Sequence, residues 1–241
     1  MDKGNRIFLL LVAFFAITLS SCKRDEFNCI KPKGERLTRT IELEDFSNIY
    51  LSLAAEVEVS QGSEFSLQAT SSENILNELD IWVNADDLMI ESDRCFNLDE
   101  EIEIKITMPS LGFVEISSSG NVSTGPNFEN VSFGFNLTGS GNLSHYTTTE
   151  VLTGQLSGSG NAYIGGSATT QEVELSGSGN FFAYDQVTEV SKLSLSGSGN
   201  AEVRVNDSLE ARITGSGSVF YKSNPVVIRT GSGSGSVVDA N

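Results

Sequence analysis

The 241 residues predict an all-β chain wound as a parallel β-solenoid with coils of about 19 residues. Two observations carry that reading: a period of two in hydrophobicity, and a pentapeptide that recurs in fixed register with apolar neighbours. Ile49, Leu51 and Leu53 alternate with polar residues or Tyr50, as do Val57 with Val59, Phe65 with Leu67, Ile81 with Val83, and Leu88 with Ile90. Ile102, Ile104 and Ile106 are set against Glu101, Glu103 and Lys105 in the same way. Each such run reads as a strand with one buried face. The single helical signal is Ser71 to Leu79, where Ser72 could cap and Ile75, Leu76 and Leu79 share a face, so one short helix is expected.

The pentapeptide appears as SSSGN at 117–121, TGSGN at 138–142 and SGSGN at 157–161, 176–180 and 196–200, then as TGSGS at 214–218. Equivalent positions are 21, 19, 19, 20 and 18 residues apart. Five residues before the Asn position stand Ile116, Leu137, Leu156, Leu175, Leu195 and Ile213. One residue after it stand Val122, Leu143, Ala162, Phe181, Ala201 and Val219. A repeat this short cannot hold a helix pair, whereas stacked β-coils place equal positions directly above one another. Asn121, Asn142, Asn161, Asn180 and Asn200 should then form one column of corner residues, bonded amide to amide. At such a corner glycine and Asn are expected to supply positive φ. If the N-terminal half follows the same path, ten or eleven coils make a right-handed rod of roughly 50 Å. That half lacks the motif, so only its alternation supports this.

The same letters do not make a catalytic or phosphate site. No GxxxxGK[ST], no GxGxxG between strand and helix and no G-x-S-x-G occurs, and a calcium β-roll needs nonapeptides with Asp ligands. His145 is the one histidine and has no second His or Cys beside it, so no metal is expected. No cofactor is expected either. Glu100, Glu101 and Glu103 lie in one stretch and read as a solvated face rather than a glycosidase pair.

The ends define the organisation. Lys3 and Arg6 precede an apolar run from Ile7, and LSSC closes it at Cys22, so residues 1–21 read as a secretory signal. LSSC resembles a bacterial lipobox, which implies acylation of Cys22 and a lipid anchor. Residues 22–34 read as a polar tether, and Lys23 with Asp25 and Glu26 is similar to the export signal of surface lipoproteins in the Bacteroidota. The domain is expected over 35–241. With Cys22 lipidated, Cys29 and Cys95 remain, and in an oxidising compartment they could form a disulfide or stay as two thiols. Asp207-Ser208-Leu209 resembles the O-glycan acceptor of that phylum, which makes Ser208 a candidate site.

Formal net charge is −17, and it becomes −18 when Lys3 and Arg6 leave together with Asp2. Such a field repels polyanions and so excludes nucleic acid as a partner. Lys192, Arg204, Arg212, Lys222 and Arg229 are spread along the coils, which disfavours an acidic-polysaccharide groove. Tyr163, Phe182, Tyr184, Phe220 and Tyr221 are aromatics that could meet a glycan.

Phe46, Ile49 and Leu51 in an F-x-x-I-x-L start, Val57, Val59 and Gly62 in V-x-V-x-x-G, Ile106 to Leu111 in I-x-M-P-x-L, and the SGSGN coils together resemble the head GIN domain family, from about Glu35 to Tyr221. This family is described as auto-transporter adhesins and is abundant among lipoproteins of the Bacteroidota. The resemblance implies a parallel β-helix-like fold, a place on the outer membrane at the cell surface and an adhesive role, with no catalytic residues. An auto-transporter would also need a C-terminal membrane barrel, and the ending GSGSGSVVDAN carries no such strands, so the expected anchor is the lipid. The expectation is a non-enzymatic surface scaffold whose partners are the membrane, through its lipid, and a surface macromolecule or glycan. The alternatives are a carbohydrate-binding or polysaccharide-cleaving β-helix, and an anchor facing the periplasm.

Overall fold

The computed structural model describes residues 29–97, 101–126 and 128–241. The strands are β1 (Arg36–Ile41), β2 (Asn48–Leu51), β3 (Glu56–Gln61) and β4 (Ser66–Ser72), then a one-turn helix α1 (Glu73–Leu76). β5 (Asp80–Asn84), β6 (Asp87–Glu91), β7 (Glu103–Met108), β8 (Phe113–Ile116) and β9 (Asn121–Thr124) follow. Next come the long strands β10 (Phe128–Leu137), β11 (Leu143–Leu156), β12 (Ala162–Leu175), β13 (Phe181–Leu195) and β14 (Ala201–Ile213). β15 (Val219–Lys222), β16 (Val226–Thr230) and β17 (Val237–Asp239) close the chain.

From β8 onward the chain runs as a parallel solenoid of about seven turns. Each SGSGN-type segment is the corner between two parallel sheets. One sheet stacks β9, the first halves of β11 to β14, then β15 and β17. The other stacks β8, the second halves of β10 to β14, then β16. The apolar residues before and after each motif, from Ile116 to Ile213 and from Val122 to Val219, are all buried. Large and small side chains alternate between coils: Phe181 lies in register between Ala162 and Ala201, and the ring of Phe135 fills the space over Gly154. That is how a column of equal positions reaches close packing without equal volumes.

The N-terminal third departs from the expected path. β2 and β3 extend the two sheets below β8 and β9, and β6 and β7 extend them below β2 and β3, so an early segment is inserted between two later ones. Beyond these levels the pairing turns antiparallel: β4 pairs with β7, β1 with β4, and β5 with β6. A stack of ten or eleven coils is therefore replaced by about seven turns and two displaced levels, roughly 40 Å of rise. The physical reason is the edge. A parallel stack ends in unpaired backbone groups, and antiparallel strands joined by tight turns cover it. At the other end Arg229 occupies an inward register beside Ala211, and its guanidinium donates to the carbonyls of Gly233 (3.2 Å) and Gly235 (2.9 Å).

The irregular repeat lengths also have a place in the fold. The 20-residue coil carries one extra residue in β13 opposite β12, where the register shifts between Tyr163 and Gly166. Gly166 has φ +100 at that bulge. The 18-residue coil follows where Ala183 pairs with Val203 but Val187 pairs with Arg204, leaving Tyr184, Asp185 and Gln186 out of the ladder.

Candidate functional site

The motif corner is a hydrogen-bonded column. Asn142 Nδ2 donates to Asn121 Oδ1 (2.9 Å), Asn161 to Asn142 (3.1 Å) and Asn180 to Asn161 (3.0 Å). Each of those oxygens also accepts the backbone N–H of the same upper Asn. Asn180 and Asn200 continue the column by accepting the N–H groups of Asn200 (3.0 Å) and Ser218 (2.9 Å). Below, Asn121 Nδ2 donates to Glu56 Oε1 at 2.6 Å. The amides spend their polar capacity on each other and on the backbone of the next coil, which is structural work.

The expected reason for the glycines is corrected. Among the described residues positive φ occurs at Gly34, Gly166, Gly231, Ala85 and Ser223, and not at the motif positions. Instead, a Cβ on Gly158 would overlap the carbonyl oxygen of Gly139, one on Gly160 that of Gly141, and one on Gly179 that of Gly160. The corners stack so closely that only hydrogen fits between Cα and the carbonyl below, and Asn serves through its side chain rather than through αL. Replacing Asn180 by Ala should cost about 1–3 kcal/mol, since it orphans the Asn200 N–H and removes one donor to Asn161. A thermal melt should show it, with any binding by the folded protein unchanged.

The other sequence-named residues fall as follows. Cys29 and Cys95 form a disulfide with Cα atoms 4.7 Å apart. Beside it the Ile30 N–H donates to Cys95 O and the Asn97 N–H to Ile30 O, both at 2.9 Å. Asn74 in α1 donates to Lys31 O and accepts the Lys33 N–H, so residues 29–34 are clasped to the domain instead of hanging from it. Cys22 and Glu100 lie outside the described residues. Ser208 is half-buried in β14, between Val190 and Val226. Glu103 carboxylate is paired with Arg36 at 2.6 Å. His145 is buried between Phe133 and Phe128, with Nδ1 2.9 Å from Thr124 Oγ1. Burial holds its pKa down at about 3. Among the described residues no group of three or more His, Cys, Asp or Glu is placed to hold a metal, and no helix is long and apolar enough to cross a membrane.

Two outward surfaces are built across several coils. The first is an aromatic ridge on the sheet that contains β9. Tyr163 and Phe182 are register neighbours with rings stacked at 5.0 Å, and Phe220 stands two levels on, past Glu202. Tyr146 leans over Gly165 and is 45% exposed, while Lys222 sits 4.3 Å above the Tyr184 ring. Arg204 and Lys222 are register partners, so the cations are less scattered than the sequence suggests. Tyr221 points inward and packs on the core. Tyr163, Phe182 and Phe220 all fall two residues after the motif's last position, a signal that the spacing already contains. The second surface is a groove of about 680 Å³ crossing four coils, lined by Glu129, Glu150 and Glu189 with Thr148, Ser167 and Thr169.

Corner columns, close-packed parallel coils and an outward aromatic ridge define a parallel β-solenoid. A family model described as "Putative auto-transporter adhesin, head GIN domain" matches residues 45–225, and the chain belongs to that family. Solved structures share the fold. One is a putative adhesin of Bacteroides fragilis, at 22% identity and a TM-score of 0.81, covering 86% of this chain and 98% of that one. A putative lipid binding protein of Parabacteroides distasonis has 22% identity and a TM-score of 0.73, covering 87% and 99%. A putative adhesin of the same species has 18% identity and a TM-score of 0.70, covering 87% and 99%. No curated protein matches the chain.

Proposed function

We propose that this chain is a lipid-anchored adhesin-type scaffold at the outer face of the outer membrane, held by an acyl group on Cys22 and free of catalytic activity. The observation that carries the reading is the aromatic ridge. Tyr146, Tyr163, Phe182 and Phe220, with Arg204 beside them, put on one rigid sheet the aromatic and Arg side chains that mark interface centres. The ring faces of Tyr163 and Phe182 meet each other, and Tyr184 is covered by Lys222, so the ridge suits an apolar protein surface better than a stacked sugar. Family membership supports the adhesive role, and the docked segment at Cys29 supports the anchoring geometry. Six residues lie between Cys22 and Cys29 of the disulfide, a reach of about 25 Å at most, which would hold the N-terminal cap near the bilayer.

The test is made on cells. Metabolic labelling with a palmitate analogue should mark the wild-type chain and not Cys22→Ser, and protease added to intact cells should remove the domain. Protection from protease in intact cells, with digestion after the outer membrane is opened, would instead place the anchor on the periplasmic side. Absence of label would remove the lipid from the reading.

A further inference from the structure

On the second sheet, the one containing β8, two outward rows run along the axis. Phe113, Gly134, Thr153, Glu172 and Lys192 are successive register neighbours in the first row, and Glu115, Asn136, Gln155, Glu174 and Ser194 in the second. Gly134 leaves the first row bare at one level. Phe113 leans into the gap: a Cβ on Gly134 would lie 2.9 Å from Phe113 Cδ2 and 3.2 Å from Thr153 Oγ1. Beside it lies a depression of about 340 Å³ whose lining includes Phe113, Phe135 and Gly154.

Its chemistry is mixed in a particular way. One wall is the Phe113 ring, backed by Tyr50 at 5.7 Å. The floor and far wall bring Asn136, Thr153, Gln155, Glu172 and Glu174. Asn136 Nδ2 is held by Glu115 Oε2 at 3.0 Å, which fixes the amide and leaves its carbonyl as an acceptor. Gln155 and Thr153 are exposed, so their polar ends are offered to solvent.

The geometry points to a binding subsite for a neutral hexose unit of a glycan, stacked on Phe113 and held through its hydroxyls by Asn136, Gln155 and the two carboxylates. An aromatic wall takes the apolar face of a sugar ring. Planar amides donate to and accept from neighbouring hydroxyls, and carboxylates accept from them. The volume lies at the small end of ligand pockets and suits one or two sugar rings. Glu172 and Glu174 would repel a uronic acid, so the subsite selects neutral sugars. This rests on the reading of the chain as a surface binding protein. Titration of purified protein does not depend on where the cell displays it, so the two readings can fail separately.

The full chain in detergent is titrated with maltotriose, cellotriose, mannotriose, chitotriose and digalacturonate, and backbone amide shifts are followed by NMR. The expected result is millimolar or tighter binding of at least one neutral trisaccharide, with shifts at Gly134 and Gly154 and none with digalacturonate. Phe113→Ala and Gln155→Leu should each weaken binding at least tenfold. Gln155 is exposed, so its variant reports binding even where Phe113→Ala fails to fold. The proposal is overturned if no neutral trisaccharide binds, if digalacturonate binds equally well, or if Gln155→Leu binds like wild type.

Discussion

Gly179→Ala should destabilise the protein by about 3–5 kcal/mol, because the added methyl meets backbone and not a movable side chain. The added Cβ would overlap the carbonyl oxygen of Gly160 in the coil below, and Gly199 repeats the same contact on Gly179 in the coil above. A flexible side chain could rotate away; a backbone carbonyl in a stacked coil cannot, because hydrogen bonds between the same two coils hold the corner in place. Ser178 N–H and Gly179 N–H both donate to Gly158 O, at 3.0 and 3.1 Å. Opening the gap means lifting one coil off another, and the loss spreads to the adjoining Asn column. Ser178→Ala, at an exposed position of the same corner, should change stability by less than about 0.5 kcal/mol. The second variant that decides the cause is Gly179→Asn. Were the corner demanding positive φ, Asn would be tolerated better than Ala; under steric overlap it should be at least as damaging. Denaturant midpoints of the three variants, compared at equal slope, check this.

That contrast also shows what could be read from the chain and what could not. The repeat told which residues share a level, because Ile116 to Ile213 and Val122 to Val219 keep their distance from the motif, and all of them are buried. It could not tell why glycine stands at 158, 160, 177 and 179. Positive φ and close approach leave the same letter in the sequence, and only the spacing between coils separates them. The N-terminal third was legible as strands and illegible as topology. Alternation in Phe65 and Leu67, or in Ile81 and Val83, reports a buried face and says nothing about strand direction. Thus β4 and β5 turned out antiparallel, and β2 with β3 slid between later levels.

The outward surfaces were partly legible. Tyr163, Phe182 and Phe220 share one offset from the motif and could have been aligned by counting. The Phe113 depression could not be found that way with the same ease. It is lined by residues of four coils, from Phe113 to Glu174, which only the register of the stacked strands brings together. A gap between side chains of different coils has no letter of its own.

The second large effect is on acid stability and turns on His145. Its ring lies 3.9 Å from that of Phe133 and 5.8 Å from that of Phe128, and neither carries charge. Thr124 Oγ1 meets Nδ1, while Nε2 has no protein partner. Burial therefore disfavours the imidazolium and lowers the pKa from 6.5 to about 3. In the unfolded chain His145 binds a proton near pH 6.5; in the folded chain it does so only near pH 3. Between those values the unfolded state holds more protons, so stability falls as pH falls, by up to about 1.4 kcal/mol per pH unit. Above pH 6.5 the contribution is whole, and near pH 3 about 5 kcal/mol of it has gone. The many carboxylates blur the raw profile, since their protonation relieves the repulsion of a chain with net charge −17. The difference between wild type and His145→Phe cancels that background. Urea unfolding at pH 7.5, 6, 5 and 4 should give a difference that is flat between pH 7.5 and about 6.5, then shifts steadily in favour of the variant as the solution is acidified. Parallel profiles across the whole range would mean that the histidine keeps its proton inside the fold, paired with a group such as Thr124 in a more polar setting than its two phenylalanine neighbours provide.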